Sequence, residues 1–110
     1  MTVLSLRATV AALALATSSL AGAQTALLNV SYDVAREFYK DLNTAFVAQQ
    51  KKAGKDIKVD QSHAGSSAQA RAVADGLDAD VVTMNTTTDV DFLAERGVVA
   101  KDWRQKFPNN

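Results

Sequence analysis

Cysteine is absent from this sequence of 110 residues, and histidine and proline each occur once. A chain without cysteine has no disulfide bond, so its stability must come from burial of apolar side chains. The lack of cysteine, with His63 as the single histidine, also argues against a zinc site, which draws on several Cys and His ligands. Neither sign of charge is in excess, because 12 Lys and Arg balance 12 Asp and Glu. Nucleic acid and anionic lipid are therefore not expected as partners.

The first 23 residues predict a secretory signal peptide. Met1 to Arg7 carries one positive charge, residues 8–20 are apolar and rich in alanine, and Ala21 to Ala23 supplies the small residues that a signal peptidase reads. We expect cleavage after Ala23. An uncleaved membrane anchor is the alternative, but the apolar run is short for a membrane-spanning helix. Loss of Arg7 with the signal would leave residues 24–110 with a net charge of −1.

Hydrophobic periodicity predicts three strands that alternate with three helices in residues 24–110. The strands are expected at 27–30, 57–60 and 80–84, and the helices at 33–50, 70–77 and 90–96, with no clear period after Trp103. Such alternation is typical of an α/β fold, in which a parallel sheet carries flanking helices. Ligands of open parallel sheets bind beyond the carboxyl ends of the strands.

The first predicted helix has one apolar face. Val34, Phe38, Leu42 and Phe46 recur every four residues, which predicts that this face is buried. The segment 51–54, Lys-Lys-Ala-Gly, is typical of a helix end, because cations favour the negative end of the helix dipole and glycine stops the helix.

The stretch from Gln61 to Gln69 predicts an anion-binding loop. It is rich in Gly and Ser, contains no Lys or Arg, and lies between a predicted strand and a predicted helix. Backbone N–H groups and hydroxyls in such a bend form a pocket for an anion. Ser66 and Gln69 also have the spacing of a capping box, which is a purely structural interpretation. Gly65 is expected to allow a close backbone approach or a positive φ.

Four further side chains have a structural interpretation. Asp33 and Asp89 are expected to cap the first and third helices. Arg36 is expected to pair with an aspartate such as Asp33, to bind a terminal carbonyl or to lie in solvent. His63 is interpreted as a hydrogen-bonded loop residue, because no serine or cysteine is spaced around it as in a catalytic triad. Neither the phosphate-loop pattern nor G-x-G-x-x-G is present, so no nucleotide or other cofactor is expected. An exported enzyme or redox protein remains a weaker alternative, since its catalytic residues are missing.

Four segments together resemble the periplasmic sulfate-binding proteins of ABC importers. The segments are residues 27–39, 60–66, 79–83 and 89–97. The first begins Leu-Leu-Asn-Val-Ser-Tyr-Asp, and the second is similar to a D-Q-S-H-G-G-S loop. The resemblance runs over residues 26–108. It implies a two-lobed binding protein, a monomer without catalytic activity, that closes on dehydrated sulfate or thiosulfate and serves a membrane permease.

The resemblance also implies a set of binding residues. The anion would be held by the backbone N–H groups of Asp33 and Ser66, with the Ser66 hydroxyl as a further donor, and Gly65 and Ser67 would shape the loop. Residues 24–110 would form an incomplete N-terminal lobe, because family chains are roughly three times longer. A nonfunctional truncated fragment is therefore one alternative, and a molybdate or phosphate binder is another.

Overall fold

The structure, a computed structural model, describes residues 24–109. The elements are β1 (Thr25–Tyr32), a 3₁₀ turn (Asp33–Ala35), α1 (Arg36–Lys52), β2 (Ile57–Ala64), α2 (Ser66–Ala74), β3 (Val81–Thr83), α3 (Thr87–Glu95) and α4 (Trp103–Lys106). All three predicted strands and all three predicted helices are present. The predicted signal peptide lies outside the described residues.

The three strands form one parallel sheet in the order β2-β1-β3. Tyr32 at the end of β1 lies opposite Ala64 at the end of β2, and Ser31 lies opposite Thr83 of β3. The predicted α/β class with a parallel sheet is confirmed. Because β2 and β3 lie on opposite sides of β1, the connections after β1 and β2 run in opposite directions. A crevice for ligands is typical of this place in open parallel sheets.

The hydrophobic core lies between one face of the sheet and helices α2 and α3. Val30 of β1, Ala70 and Val73 of α2, and Leu93 of α3 are buried together there. Side chains alternate between the two faces of a strand, so Asn29 of β1 points to the opposite face. This second face is the one that α1 covers.

Helix α1 leaves its apolar stripe exposed to solvent. No residue of α1 is buried within the part of the chain that the structure describes. Val34, Phe38 and Leu42 retain 85%, 63% and 46% of their exposure. The helix and its periodicity were correctly predicted, and Phe46 is half-buried, but the expected burial of Val34, Phe38 and Leu42 is absent from residues 24–109.

The predicted loop from Gln61 to Gln69 is mostly regular structure. Residues 61–64 continue β2, because their backbone pairs with residues 29–32 of β1, and residues 66–69 form the first turn of α2. Gly65 alone connects the strand to the helix. The polar composition of this stretch suggested a loop, whereas the hydrogen bonds of a parallel ladder do not depend on side-chain polarity.

Glycine ends α1 as predicted, and a second glycine ends α3. Gly54 after α1 has φ 79° and Gly97 after α3 has φ 75°, a left-handed conformation that glycine adopts without steric cost. Helix α4 was not predicted, since four residues are too few to show a period. None of the helices in residues 24–109 is long and apolar enough to cross a membrane.

Candidate anion-binding site at the carboxyl edge of the sheet

Two helix starts lie side by side where β1 and β2 end. Asp33 follows Tyr32 directly, Gly65 follows Ala64, and Tyr32 and Ala64 are partners in the ladder. Since the strands are parallel, their carboxyl ends share one edge of the sheet. The structure therefore brings the predicted residues Asp33, Gly65, Ser66 and Ser67 to neighbouring strand ends.

The first turn of α2 offers backbone N–H groups that the helix itself does not use. The first hydrogen bond of this turn runs from the Gln69 N–H to the Gly65 carbonyl, at 2.9 Å. The N–H groups of Ser66, Ser67 and Ala68 precede it, so they have no partner within the helix and carry the positive end of the helix dipole. This turn can accept an anion without any cationic side chain.

The 3₁₀ turn before α1 adds a second group of N–H donors. Asp33 is the first residue of this turn, and the hydrogen bond from the Arg36 N–H to the Asp33 carbonyl closes its C-terminal end, so the Asp33 N–H precedes the helical bonds. The prediction that the Asp33 carboxylate caps this helix is wrong. The carboxylate instead accepts a hydrogen bond from Arg36 Nη2 at 2.9 Å, which is one of the arrangements expected for Arg36. This ion pair offsets a negative charge that would otherwise lie beside an anion.

Asp89 of α3 binds the hydroxyl groups of this region. Its carboxylate accepts from Ser66 Oγ at 2.5 Å, Ser67 Oγ at 2.9 Å and Thr86 Oγ1 at 3.2 Å, and the residue is 8% exposed. The Ser66 hydrogen bond, followed by those from Ser67 and Thr86, lowers the pKa of Asp89 despite the opposing effect of burial. A buried carboxylate is thus stabilised in its charged form by neutral donors.

The expected role of Asp89 as a helix cap is wrong. Helix α3 begins one turn earlier than predicted, and Thr86 is its N-cap, with Oγ1 accepting from the Asp89 N–H at 3.4 Å. The polar segment 84–88 contained this signal, because a threonine three residues before an acidic residue is typical of a helix N-terminus. The sequence analysis assigned the cap to the carboxylate instead.

The single O–H donor of Ser66 is used inside the protein. It donates to Asp89 and accepts from the Asn85 N–H at 2.8 Å. The predicted capping box between Ser66 and Gln69 is therefore wrong, and α2 has no side-chain cap at Gly65. With the hydroxyl occupied, the backbone N–H is the donor that Ser66 has left for a ligand.

Gly65 needs neither a positive φ nor extra space from its neighbours. Its φ is −57° and its ψ 139°, and a Cβ placed there would meet nothing within 4 Å among the described residues. The expectation of a positive φ is thus wrong. The absence of a side chain leaves the approach to the first turn of α2 open.

A hydrogen-bonded chain of side chains lies beneath this edge. Ser31 Oγ contacts His63 Nδ1 at 2.6 Å, and His63 Nε2 contacts Gln61 Oε1 at 2.7 Å. Gln69 Nε2 donates to the Ser31 carbonyl at 3.3 Å and to Ser62 Oγ at 3.1 Å. The interpretation of His63 as a hydrogen-bonded residue is confirmed, although it lies in β2 and not in a loop. Ser31 is fully buried, so its hydroxyl is closed to a substrate.

A sequence profile described as "Bacterial extracellular solute-binding protein" matches residues 27–110. This chain belongs to that family. It is 52% identical over 105 residues to a thiosulfate-binding protein of Pseudomonas aeruginosa, a match that covers 94% of this chain and 32% of the relative. It is 46% identical over 99 residues to a sulfate-binding protein of Salmonella typhimurium, covering 89% of this chain and 30% of the relative. The resemblance drawn from the sequence motifs is confirmed.

A solved structure has the same fold. The sulfate-binding protein SubI of Mycobacterium tuberculosis matches with a TM-score of 0.67 and 33% identity, over 74% of this chain and 28% of that one. The chain thus spans about a third of the length of the relatives it matches. These relatives are named as binding proteins and not as enzymes.

Proposed function

We propose that this chain supplies one side of an oxyanion site, in a protein that captures sulfate or thiosulfate for an ABC importer. The observation that carries the proposal is the pair of adjacent helix starts with unused N–H groups, following Tyr32 and Ala64. The names of the sulfate- and thiosulfate-binding relatives support it.

In this proposal the ligand contacts are backbone groups. The N–H groups of Ser66 and Ser67 bind the anion at the N-terminus of α2, and the N–H of Asp33 binds it from the neighbouring turn. Gly65 leaves room for the anion to approach. The hydroxyls of Ser66 and Ser67 hold the turn in place through Asp89, a role different from the direct hydroxyl contact that the resemblance implied for Ser66.

A site made of donors selects the protonation state of its ligand. Sulfate and thiosulfate carry no proton at neutral pH, so all of their oxygen atoms accept hydrogen bonds. A protonated phosphate would bring an O–H group to a site that lacks an acceptor, and an unpaired buried donor is costly. Phosphate is accordingly a weaker candidate than sulfate, and molybdate remains the alternative of similar charge.

The proposal includes further assignments, which membership of this family supports. Residues 1–23 act as a signal peptide, and residues 24–110 correspond to part of the N-terminal lobe of a two-lobed, monomeric periplasmic protein. A second lobe closes over the anion by a hinge motion, and a membrane permease receives it. The protein binds its ligand without a cofactor and without chemical change.

A hybrid protein tests the proposal. The chain is joined to the remaining two thirds of the Pseudomonas aeruginosa thiosulfate-binding protein, and calorimetric titrations with sulfate, thiosulfate, molybdate and phosphate are compared with those of the chain alone. We expect tight binding of sulfate or thiosulfate by the hybrid and none by the chain, which has one side of the site. Binding at micromolar or lower concentration by the chain alone would contradict the one-sided site. A folded hybrid that prefers molybdate or phosphate would contradict the assigned ligand.

A further inference from the structure

Gln69 is a buried polar residue of α2 that does not cap the helix. It is 4% exposed, and its Nε2 donates to the Ser31 carbonyl at 3.3 Å and to Ser62 Oγ at 3.1 Å. An apolar side chain of similar length would fill this place without the cost of burying an amide. The two hydrogen bonds are therefore what distinguishes Gln69 from an ordinary core residue.

The orientation of this amide follows from the groups that it faces. A backbone carbonyl only accepts hydrogen bonds, so the part of Gln69 turned toward Ser31 must be its NH₂ group. This group has two hydrogens, and it has one acceptor on β1 and one on β2. Gln69 thus joins α2 to two neighbouring strands, close to the carboxyl ends of both.

The connection between β2 and α2 is a single residue without a side chain. The parallel ladder fixes the strand ends, since Tyr32 is paired with Ala64, but α2 begins directly after Gly65. Glycine restricts the backbone less than any other residue, and a Cβ at Gly65 would meet nothing within 4 Å among the described residues. The orientation of the first turn of α2 therefore depends on side chains that reach from it to its surroundings.

Gln69 links the two helix starts that carry the unused N–H groups. Its backbone belongs to the turn that begins with Ser66. Its side chain is bound to the carbonyl of Ser31, which lies two residues before Asp33. A shift of one helix start relative to the other would break this link. Asp89 also holds the first turn of α2, but it connects that turn to α3 and not to the sheet.

We propose that Gln69 is a positioning residue of the anion site, which sets the distance and the angle between the N–H groups of Asp33 and Ser66. This role rests on the proposed function, and Gln69 itself does not touch the anion. Tetrahedral oxyanions differ in size, molybdate being larger than sulfate, so donors held at a fixed separation distinguish between them. Loss of the Gln69 amide therefore lowers both the affinity for the preferred anion and the preference over molybdate.

Two variants of Gln69 and one control test this role. Gln69→Met and Gln69→Leu keep a side chain of similar volume and remove the donor. Leu77→Ala is the control, because Leu77 packs against the core at the opposite end of α2 from Ser66 and its truncation destabilises the protein away from the anion site. Circular dichroism confirms that each protein is folded. With two Gln69 variants, the test can be completed if one of them does not fold.

The first measurement needs no anion. Residual dipolar couplings of the chain compare the directions of the Asp33 and Ser66 N–H bonds. We expect these couplings to change in the Gln69 variants and to match the wild type in Leu77→Ala. Unchanged couplings in the Gln69 variants would overturn the proposal, because the two turns would then keep their relative orientation without the amide.

The second measurement is calorimetric titration of the hybrid protein. We expect the Gln69 variants to bind sulfate or thiosulfate about tenfold more weakly or worse, the equivalent of one hydrogen bond to a charged ligand, with a smaller preference over molybdate. Leu77→Ala should change the affinity less than about twofold, because it lies far from the site.

The titrations also separate positioning from a purely structural role. Unchanged affinity in the Gln69 variants, an equal loss in Leu77→Ala, or a loss of affinity at constant preference over molybdate would each overturn the proposal. If the wild-type hybrid binds none of the anions, the proposed function fails. The dipolar couplings would then still decide whether Gln69 positions the two turns.

Discussion

Ser66 Oγ donates a hydrogen bond of 2.5 Å to Asp89 Oδ2 and so joins the first residue of α2 to α3. The neighbouring Ser67 hydroxyl donates to the other oxygen of the same carboxylate. Both hydroxyls are turned toward α3, while the N–H groups of the same turn point out of the N-terminal end of α2. Asp89 thereby fixes the turn that we propose as the anion site, without contacting the anion.

We expect Asp89→Asn to lower the free energy of unfolding by about 1–3 kcal/mol. In the variant, an NH₂ group would replace one carboxylate oxygen. This donor would face hydroxyl groups that donate to the carboxylate in the wild type, so at least one hydrogen bond would be lost. Urea denaturation followed by circular dichroism measures the change. Asp78→Asn is the control, because Asp78 is exposed in the loop after α2, and we expect a change within about 0.5 kcal/mol there. Equal effects of the two substitutions would contradict the role of Asp89.

The pH dependence of stability should reveal the same carboxylate. The pKa of Asp89 is lowered in the folded protein from its ordinary value of 3.8, so folding favours its charged form. The contribution of the charged Asp89 to the free energy of unfolding is complete at a pH above its ordinary pKa. This contribution is lost as the pH falls through the lower pKa of the folded protein. We expect the stability difference between the wild type and Asp89→Asn to shrink as the pH is lowered from about 5 to below 3. A difference that grows on acidification would contradict this assignment.

Two substitutions of Ser66 distinguish the contribution of its backbone N–H to anion binding from that of its hydroxyl. Proline fits the first position of a helix, and Gly65 already has the extended conformation that precedes proline (φ −57°, ψ 139°). Ser66→Pro therefore removes both the N–H and the hydroxyl, while Ser66→Ala removes the hydroxyl alone. Both variants lose the bonds to Asp89 and Asn85.

In the hybrid protein, we expect Ser66→Pro to weaken sulfate or thiosulfate binding well beyond Ser66→Ala. The N–H bond to a charged ligand is worth about 1.5–3 kcal/mol, or roughly 10- to 150-fold in affinity. Calorimetric titration of the two variants gives the ratio. Similar affinities would remove the Ser66 N–H from the site.

The order of strands and helices could be predicted from the sequence because each element carries its own periodicity. Val34, Phe38 and Leu42 mark one side of a helix wherever that helix is placed. What the pattern cannot specify is the surface that covers this side, since the partner of an apolar stripe is a tertiary contact. The structure contains the predicted stripe, but Val34, Phe38 and Leu42 are not buried by any other part of residues 24–109.

The sequence correctly placed Asp33 and Ser66 at the carboxyl ends of β1 and β2, whereas the hydrogen bonds of their side chains were predicted incorrectly. Ser66 and Asp89 are 23 residues apart, so their contact depends on how α3 packs against α2. Local spacing instead favoured a capping box between Ser66 and Gln69. The hydrogen bonds of Asp33 could not be predicted from local spacing either. A carboxylate can accept from a nearby guanidinium as readily as from the first N–H groups of its helix.

In its neutral form, His63 is expected to carry the ring proton on Nε2. Its Nε2 lies 2.7 Å from Gln61 Oε1, which can only accept, so Nδ1 is left as an acceptor. The Ser31 hydroxyl donates to Nδ1 at 2.6 Å in preference to the Tyr32 carbonyl at 3.3 Å. Long-range ¹H–¹⁵N correlation spectra at pH 8 distinguish the tautomers, and the single histidine of the chain removes any ambiguity of assignment. Protonation at Nδ1 instead would contradict the hydrogen-bond chain. Gln61→Ala should reduce the preference for the Nε2–H form.

Trp103 should report whether α4 stays docked on α3. Its indole Nε1 donates to Asp91 Oδ1 at 3.0 Å, and Arg104 Nη2 contacts the other oxygen of that carboxylate at 2.6 Å. Arg104, followed by the indole N–H, lowers the pKa of Asp91. The indole ring is covered, since Trp103 is 5% exposed. Asp91 therefore holds α4 in place through two neighbouring side chains.

We expect Asp91→Ala to shift the tryptophan fluorescence to longer wavelength, because a loosened α4 would admit water to the indole ring. Trp103 is the sole tryptophan of the chain, so the emission reports this contact alone. Asp102→Ala is the matched control: Asp102 is the N-cap residue of the same helix, but within residues 24–109 its side chain makes no capping hydrogen bond and forms only an exposed ion pair of 3.6 Å with Lys106, and such pairs contribute little. An unchanged emission maximum in Asp91→Ala, or an equal shift in both variants, would show that Asp91 does not hold α4 against α3.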